Sequence, residues 1–273
     1  MTDSLSSTRS IVKYNQQQFS TLEDEIVIEF PLTIYINNEE FATMVCSPRD
    51  FAEMVIGFLA SEGVIRFKKE IKDLTIDEDR GFAYVELHST DIKNQQYFSK
   101  RFIGSCCGKS RQFYFQNDVR TAKTSMSSTT ITAEQCISLM KKMQDSSLVF
   151  KNTGGVHNAA LCSADELIVN RSDIGRHNAL DKLYGHSLLN GIAVRDKILV
   201  FSGRISSEIL TKAAKIGVGI VLSKSAPTDL AIQLAEDLNI TAVGFIRGSS
   251  FNIYSHPERI VLDQTNETKE ESS

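Results

Sequence analysis

The chain has 273 residues with 41% hydrophobic and 23% charged side chains, a composition that builds a globular core and excludes wholesale disorder. No apolar run approaches the roughly 18 residues of a membrane helix, and the opening MTDSLSSTRS lacks the apolar centre of a secretory signal, so a cytoplasmic protein is expected. The net charge of -4 argues against broad binding to duplex nucleic acid, while leaving room for a local basic patch.

The first ten residues are polar and aperiodic, and residues 1–23 read as a flexible lead-in. A β-rich domain is assigned to 24–126. Ile26, Ile28 and Phe30 alternate with polar residues, Pro31 interrupts, and Leu32, Ile34 and Ile36 resume the period of two. Asn37-Asn38 is a turn signal, so 41–46 is the expected hairpin partner. One helix follows. Ser47 is its expected cap, Pro48 suits the first turn, Phe51, Met54, Val55, Phe58 and Leu59 share a face, and Gly63 ends it. Residues 73–77 and 82–87 predict a second hairpin, turning through Asp79-Arg80-Gly81.

Next comes Lys100-Arg101-Phe102-Ile103-Gly104-Ser105-Cys106-Cys107-Gly108-Lys109-Ser110-Arg111. Four fixed positive charges flank two adjacent thiols, and two glycines keep the backbone permissive. Nearby cations favour thiolate over thiol, drawing the pKa below its ordinary value of about 8.5. Adjacent cysteines suit zinc poorly, because a chelating pair is spaced C-x2-4-C and no His/Cys cluster elsewhere completes a tetrahedron. The bland alternative is a surface loop with incidental thiols. The other three cysteines, Cys46, Cys136 and Cys162, lie among apolar neighbours and read as small hydrophobes.

An α/β domain is assigned to 127–263 and a disordered tail to 264–273. Thr132 with Gln135 forms a capping box for a helix that turns Ile137, Met140 and Met143 inward. After Gly154-Gly155 come strand candidates 159–162 and 167–170, then a helix over Arg176–Leu189. Ile198–Phe201 reads as a buried strand, Ser206 or Ser207 caps a helix, and 218–222 is a strand. Pro227 opens another helix, and 241–246 is a third strand. That alternation with short loops implies parallel strands and right-handed crossovers.

Three segments in this half suit an anion. In Asp173-Ile174-Gly175-Arg176-His177-Asn178, Asp173 caps the helix and leaves its first amides, with Arg176 and His177, facing a ligand. A plain cap with surface histidines explains the same residues, and His157 in Thr153-Gly154-Gly155-Val156-His157-Asn158 is equally open. Phe245, Ile246, Arg247, Gly248, Ser249 and Ser250 leave the third strand as a loop suited to phosphate or a guanine edge. Phe201-Ser202-Gly203-Arg204 leaves the first strand in the same way. Two Gly/Arg loops therefore open on one rim, beyond the carboxyl ends of strands where α/β sheets bind ligands.

GFLASEGVI (57–65), the Cys-Gly segment, TGGVHNAAL, DIGRHNALDKLYG, SKSAPT and IYSHPERI together resemble the FdhD/NarQ family, across about 12–261. The resemblance implies a cytoplasmic, homodimeric sulfurtransferase required for formate dehydrogenase, with a cytidine-deaminase-like three-layer α/β domain whose sheet is mainly parallel. It implies sulfur taken from a cysteine desulfurase as a persulfide on Cys107, with Cys106 beside it. The sulfur passes to the molybdenum cofactor, in its bis(molybdopterin guanine dinucleotide) form, before insertion into the formate dehydrogenase catalytic subunit. The family's Cys-Gly-x-Cys falls on Cys107-Gly108-Lys109-Ser110, so serine replaces the second cysteine. Its guanine-dinucleotide contact loop falls on Phe245 to Ser250, and a guanine nucleotide is the expected mimic, with Arg204, Arg176 and His177 as further contacts. No protein-bound metal, nucleic acid or membrane is implied, since the deaminase zinc signature is absent. A cofactor-holding chaperone without sulfur transfer is the leading alternative, and a metal-dependent hydrolase or deaminase the third.

Overall fold

A computed structural model describes residues 5–89, 122 and 124–262, and the backbone of 101–103. Lys100 and residues 104–111, with Cys106 and Cys107, lie outside the described residues, as does the 264–273 tail. The fold is mixed α/β. The chain forms two compact units that do not follow one linear cut. The first holds Met1–Asn117, Ser147–Asn158 and Arg171–Ile192; the second holds Asp118–Ser146, Ala159–Asn170 and Ala193–Ser273.

The first unit opens with a two-stranded ribbon, β1 (Ser6–Asn15) against β2 (Gln18–Val27). A hairpin therefore occupies most of the segment read from sequence as a frayed lead-in. Its turn is Gln16-Gln17, both at positive φ (46° and 66°), with none of the Gly or Asn signals that announce such turns. Tyr14 and Phe19 pair across the strands at 5.2 Å.

A five-stranded sheet of order β5-β6-β3-β4-β7 follows, from β3 (Phe30–Ile36), β4 (Glu39–Cys46), β5 (Ile71–Asp77), β6 (Phe82–Leu87) and β7 (Arg101–Ile103). Both expected hairpins are present. Asn37 and Asn38 turn the first at φ 48° and 70°, and Gly81 at φ 71° closes the second. Leu32, Ile34, Ile36, Met44, Ala83 and Val85 face one core with Met54, Val55, Phe58 and Leu59 of α1 (Phe51–Ser61). The cap of α1 is Asp50 at φ 57°, not Ser47. Ser47 is buried and serves another helix, as described below.

That helix is α4 (Arg176–Leu189), which follows α2 (Ala133–Ser146) and α3 (Leu148–Thr153) in the chain. It packs along α1 within the first unit. Gly57 of α1 lies against the backbone of Asp181, and Gly185 of α4 against that of Glu53. Each glycine sits one turn after the residue its partner helix touches, so the contact is reciprocal. Polar groups finish it. Ser61 Oγ donates to Asp181 (2.6 Å), and Arg171 forks onto both oxygens of Glu53 (2.5 and 2.7 Å). Burial pushes the Glu53 carboxyl up, but its hydrogen bonds with Arg171 and His186 outweigh that and hold it below its ordinary range.

The second unit carries a sheet of order β10-β9-β11-β12-β13-β14. Its strands are β9 (His157–Cys162), β10 (Leu167–Asp173), β11 (Ile198–Phe201), β12 (Ile220–Ser223), β13 (Thr241–Arg247) and β14 (Ser250–Ser255). The outermost residues of β9 and β10, 157–158 and 171–173, belong to the first unit. Strands β11, β12 and β13 are parallel, while β9 runs antiparallel to β11 and β14 to β13. The continuous apolar run of Ile198–Phe201 is fully buried, as expected for a parallel strand covered on both faces.

The capping box of α2 forms as read: Thr132 N donates to Gln135 (2.8 Å) and Gln135 N to Thr132 (3.2 Å). Cys136, Leu139, Met140 and Met143 take its inner face, and Ile137 is only half-buried. Ser206 caps α5 (Ser207–Ile216) and Thr228 caps α6 (Asp229–Asp237). The short strand β8 (Ile131–Thr132) is closed by β15 (Ile260–Val261). Beside it, buried Arg259 donates to Thr241, Asn239 and the Ser127 carbonyl. Among the described residues no helix is long and apolar enough to cross a membrane.

Candidate functional site

The start of α4 is built on a buried charge pair. Asp173 and Lys182 are both 0% exposed at their side chains, and Lys182 Nζ lies 2.8 Å from Asp173 Oδ2. The carboxylate also accepts from Ser47 N (2.9 Å), Gly175 N (2.8 Å) and Asn178 Nδ2 (2.8 Å). Ser47 answers with its hydroxyl, which accepts from Ile174 N, and its carbonyl, which accepts from Lys182. Asp173 is therefore an anchor two residues ahead of the helix, and Gly175 holds the cap position with no side-chain bond.

Taking two charges out of water is costly, and only this saturation of hydrogen bonds makes the pair tolerable. Removing one partner leaves the other charge buried and alone. Lys182→Met is expected to lose about 3–5 kcal/mol of stability by urea unfolding. Lys182→Met combined with Asp173→Asn should recover at least half of that loss. A double variant no better than the single one contradicts this account.

Arg176 and His177 open α4 and are half-buried, and Arg176 Nε has no hydrogen-bond partner although its surface is covered. His157 is held below the ordinary imidazole range, by burial first and by the charge of Arg176 second, against the opposing pull of Asp173. Near neutral pH it is an uncharged hydrogen-bonding group, so the positive charge here is the guanidinium's.

Three of the five cysteines are structural. Cys46, Cys136 and Cys162 are 0% exposed, and desolvation pushes each thiol up to about 12. At Cys46 the charge of Asp173 adds to the rise and that of Lys182 opposes it. None of these sulfurs is ionised near neutrality, so none is a nucleophile.

The rim of the second unit is formed by three loops after parallel strands. Phe201 pairs with Ser223, and four residues further on Ile205 bridges to Pro227. Between those two pinned points Ser202-Gly203-Arg204 and Lys224-Ser225-Ala226 run side by side. Ser223 Oγ donates to the Gly203 carbonyl (2.7 Å) and Ser225 Oγ to the Ser202 carbonyl (3.1 Å). The Ser225 carbonyl accepts from Phe245 N (3.3 Å), which ties in the third loop.

The segment read as a loop over Phe245 to Ser250 is a hairpin end. Phe245, Ile246 and Arg247 finish β13, Gly248 at φ 56° turns with Ser249, and Ser250 starts β14. Phe245 holds φ 55°, a costly conformation for an aromatic residue. Its ring is exposed, and the Arg247 guanidinium lies over it at 5.4 Å. Ile246 is 2% exposed and points into the core, so it offers a ligand no side chain. Arg204, Lys224 and Arg247 are exposed and form no ion pair among the described residues.

From sequence, Ser223, Lys224 and Ser225 stood out only as part of SKSAPT, without a ligand role. The signal was available in Ser-Lys-Ser directly after an apolar strand. Arg176 and His177 belong to the first unit, whereas Arg204 and the Phe245–Arg247 hairpin belong to the second.

Comparison with known proteins bears on these groups. The FdhD/NarQ family model matches residues 27–261. A Bacillus subtilis protein named sulfur carrier protein FdhD is 62% identical over 260 residues, which are 95% of this chain and 99% of the relative. A protein of the same name from Halalkalibacterium halodurans is 61% identical over 263 residues, 96% and 97% of the two chains. A crystal structure of a formate dehydrogenase accessory protein from Desulfotalea psychrophila matches with a TM-score of 0.77 at 25% identity, covering 94% of this chain and all of that one.

Proposed function

Because the chain belongs to the FdhD/NarQ family, we propose that it is a cytoplasmic sulfur carrier that serves the maturation of formate dehydrogenase, with Cys107 as the carrying residue. The observation that supports this most directly is the burial of the other thiols. With Cys46, Cys136 and Cys162 un-ionised in two cores, sulfur chemistry falls to Cys106 and Cys107, in the segment with four flanking cations.

In the proposed reaction the Cys107 thiolate attacks the outer sulfur of a cysteine desulfurase persulfide. The S–S bond of that persulfide breaks, the desulfurase leaves as thiolate, and Cys107 retains the outer sulfur as its own persulfide. Lys109 and Arg111 favour the attacking anion. Ser110 stands where the family carries a second cysteine, so no disulfide across that spacing is part of the mechanism. The cargo-receiving substrate is the molybdenum cofactor in its bis(molybdopterin guanine dinucleotide) form. The Arg204, Lys224 and Arg247 rim suits its phosphates, and the exposed Phe245 ring suits a base. Arg176 and the uncapped start of α4 offer a further anion contact in the first unit.

The division of thiols is tested by timed alkylation of the native protein at neutral pH, read by mass. Cys106 and Cys107 should label fast, and Cys46, Cys136 and Cys162 only after unfolding. Fast labelling of any of those three overturns the assignment by burial.

A further inference from the structure

The rim's two laddered loops divide the work of ligand binding with the hairpin beside them. We infer that Lys224, with Arg204, forms a diphosphate clamp, and that Lys224 sets how many phosphates a bound nucleotide must carry. The inference rests on the nucleotide-binding reading of this rim and assigns a selectivity to it.

The placement follows from the register. Lys224 comes directly after Ser223, which pairs with Phe201, and Arg204 directly before Ile205, which bridges to Pro227. The two cations therefore sit next to opposite pinned points, on backbones about one strand spacing (~4.8 Å) apart and offset by two residues along them, Lys224 opposite Ser202 and Arg204 opposite Ala226. Additional bonds fix both loops: Lys224 N donates to Phe201 O (3.2 Å), Ile205 N to Ala226 O (3.2 Å) and Thr228 N to Ile205 O (2.9 Å).

The same bonds decide what the loops present. The carbonyls of Ser202 and Gly203 accept from the two serine hydroxyls, and that of Arg204 accepts from Ser206 N. Oxygens that would repel an anion are thus engaged inside the ladder. The first turns of α5 and α6 begin directly after the two loops, so their positive ends lie beside the cations, each with one acid in its first turn, Glu208 and Asp229. The acid in the first turn of α6, Asp229, is engaged by Gln233 (2.8 Å).

One cation on each of two rigid neighbouring loops matches two linked phosphates better than one. A single phosphate satisfies one cation and leaves the other in water, so the second phosphate supplies the added affinity. The Phe245 ring lies on the third loop, and its contribution to a base is independent of phosphate number.

The test is calorimetric titration of the full chain with GDP, GMP and guanosine at one fixed salt concentration. The wild type should bind GDP about tenfold or more tighter than GMP. Lys224→Met should cut that ratio to about threefold or less, and Lys224→Arg should restore most of it. A Lys224→Met variant that keeps the full ratio overturns the clamp while nucleotide binding stands. A wild type that binds neither nucleotide overturns the reading of the rim itself, and the clamp with it.

Discussion

Cys107→Ala is expected to lose sulfur transfer by at least about a hundredfold, because none of the three described cysteines is placed to replace it. Reactivity follows the thiolate fraction. An ordinary thiol with a pKa near 8.5 is roughly 3% ionised at pH 7. Thiols pushed up to about 12, as at Cys46, Cys136 and Cys162, are ionised to roughly one part in 10^5. The difference exceeds a thousandfold before access is counted, and all three are also sealed from solvent.

Cys106 is the remaining competitor, one residue away in the same charged segment. The assignment to Cys107 rests on its match to the first cysteine of the family's Cys-Gly-x-Cys, so Cys106→Ala is the matched control. Incubation with a cysteine desulfurase and cysteine, followed by intact mass, should add one labile sulfur to the wild type and to Cys106→Ala. Cys107→Ala should gain none and should fail to support formate dehydrogenase activity. If Cys107→Ala still carries the sulfur and still supports the enzyme, the mechanism is wrong. A chain that only holds the molybdenum cofactor would leave formate dehydrogenase activity intact in Cys107→Ala, with GDP still bound and no sulfur added to the wild type.

What the sequence made legible was local. Asn37-Asn38, Thr132 with Gln135, Ser206 and the apolar run Ile198–Phe201 each act within a few residues, and each forms as its chemistry dictates. The ribbon turn at Gln16-Gln17 was missed because nothing in glutamine announces a positive φ. Phe245 to Ser250 looked like a loop because Arg-Gly-Ser-Ser interrupts the apolar pattern, yet the chain needs only Gly248 and Ser249 to reverse. The anchor of α4 lay beyond any sequence pattern. Ser47 and Asp173 are 126 positions apart, and Ser47 and Lys182 are 135. Ser47 looked like a cap since a serine before a proline and an apolar helix usually is one. Its hydroxyl was instead committed to Ile174. At the rim the cations were visible as residues, but the ladder that puts Arg204 and Lys224 on neighbouring backbones appears only once Phe201 pairs with Ser223 and Ile205 with Pro227.

The crossing of α1 and α4 carries a large expected effect on stability. A methyl group at position 57 falls inside contact distance of the Asp181 carbonyl and 2.8 Å from Gly185 N, and one at 185 lies 2.9 Å from Glu53 Cα. Both obstacles are backbone, so no rotamer change relieves them and the helices themselves must part. Parting them also stretches the Ser61–Asp181 and His186–Glu53 bonds that close the contact. Helix propensity acts the other way, favouring alanine by about 1 kcal/mol, and it is outweighed. Gly57→Ala is expected to lose more than about 3 kcal/mol, the upper range for overpacking, and roughly 10 °C in melting temperature. Gly191→Ala is the control, since its φ is +62° and nothing lies within 4 Å of the added carbon. It should lose only the 1–2 kcal/mol or so of a left-handed alanine. Thermal and urea unfolding of the two variants decide the matter. Equal losses, or a Gly57→Ala protein as stable as the wild type, would mean that the two helices slide apart freely and that α4 is not fixed by this contact.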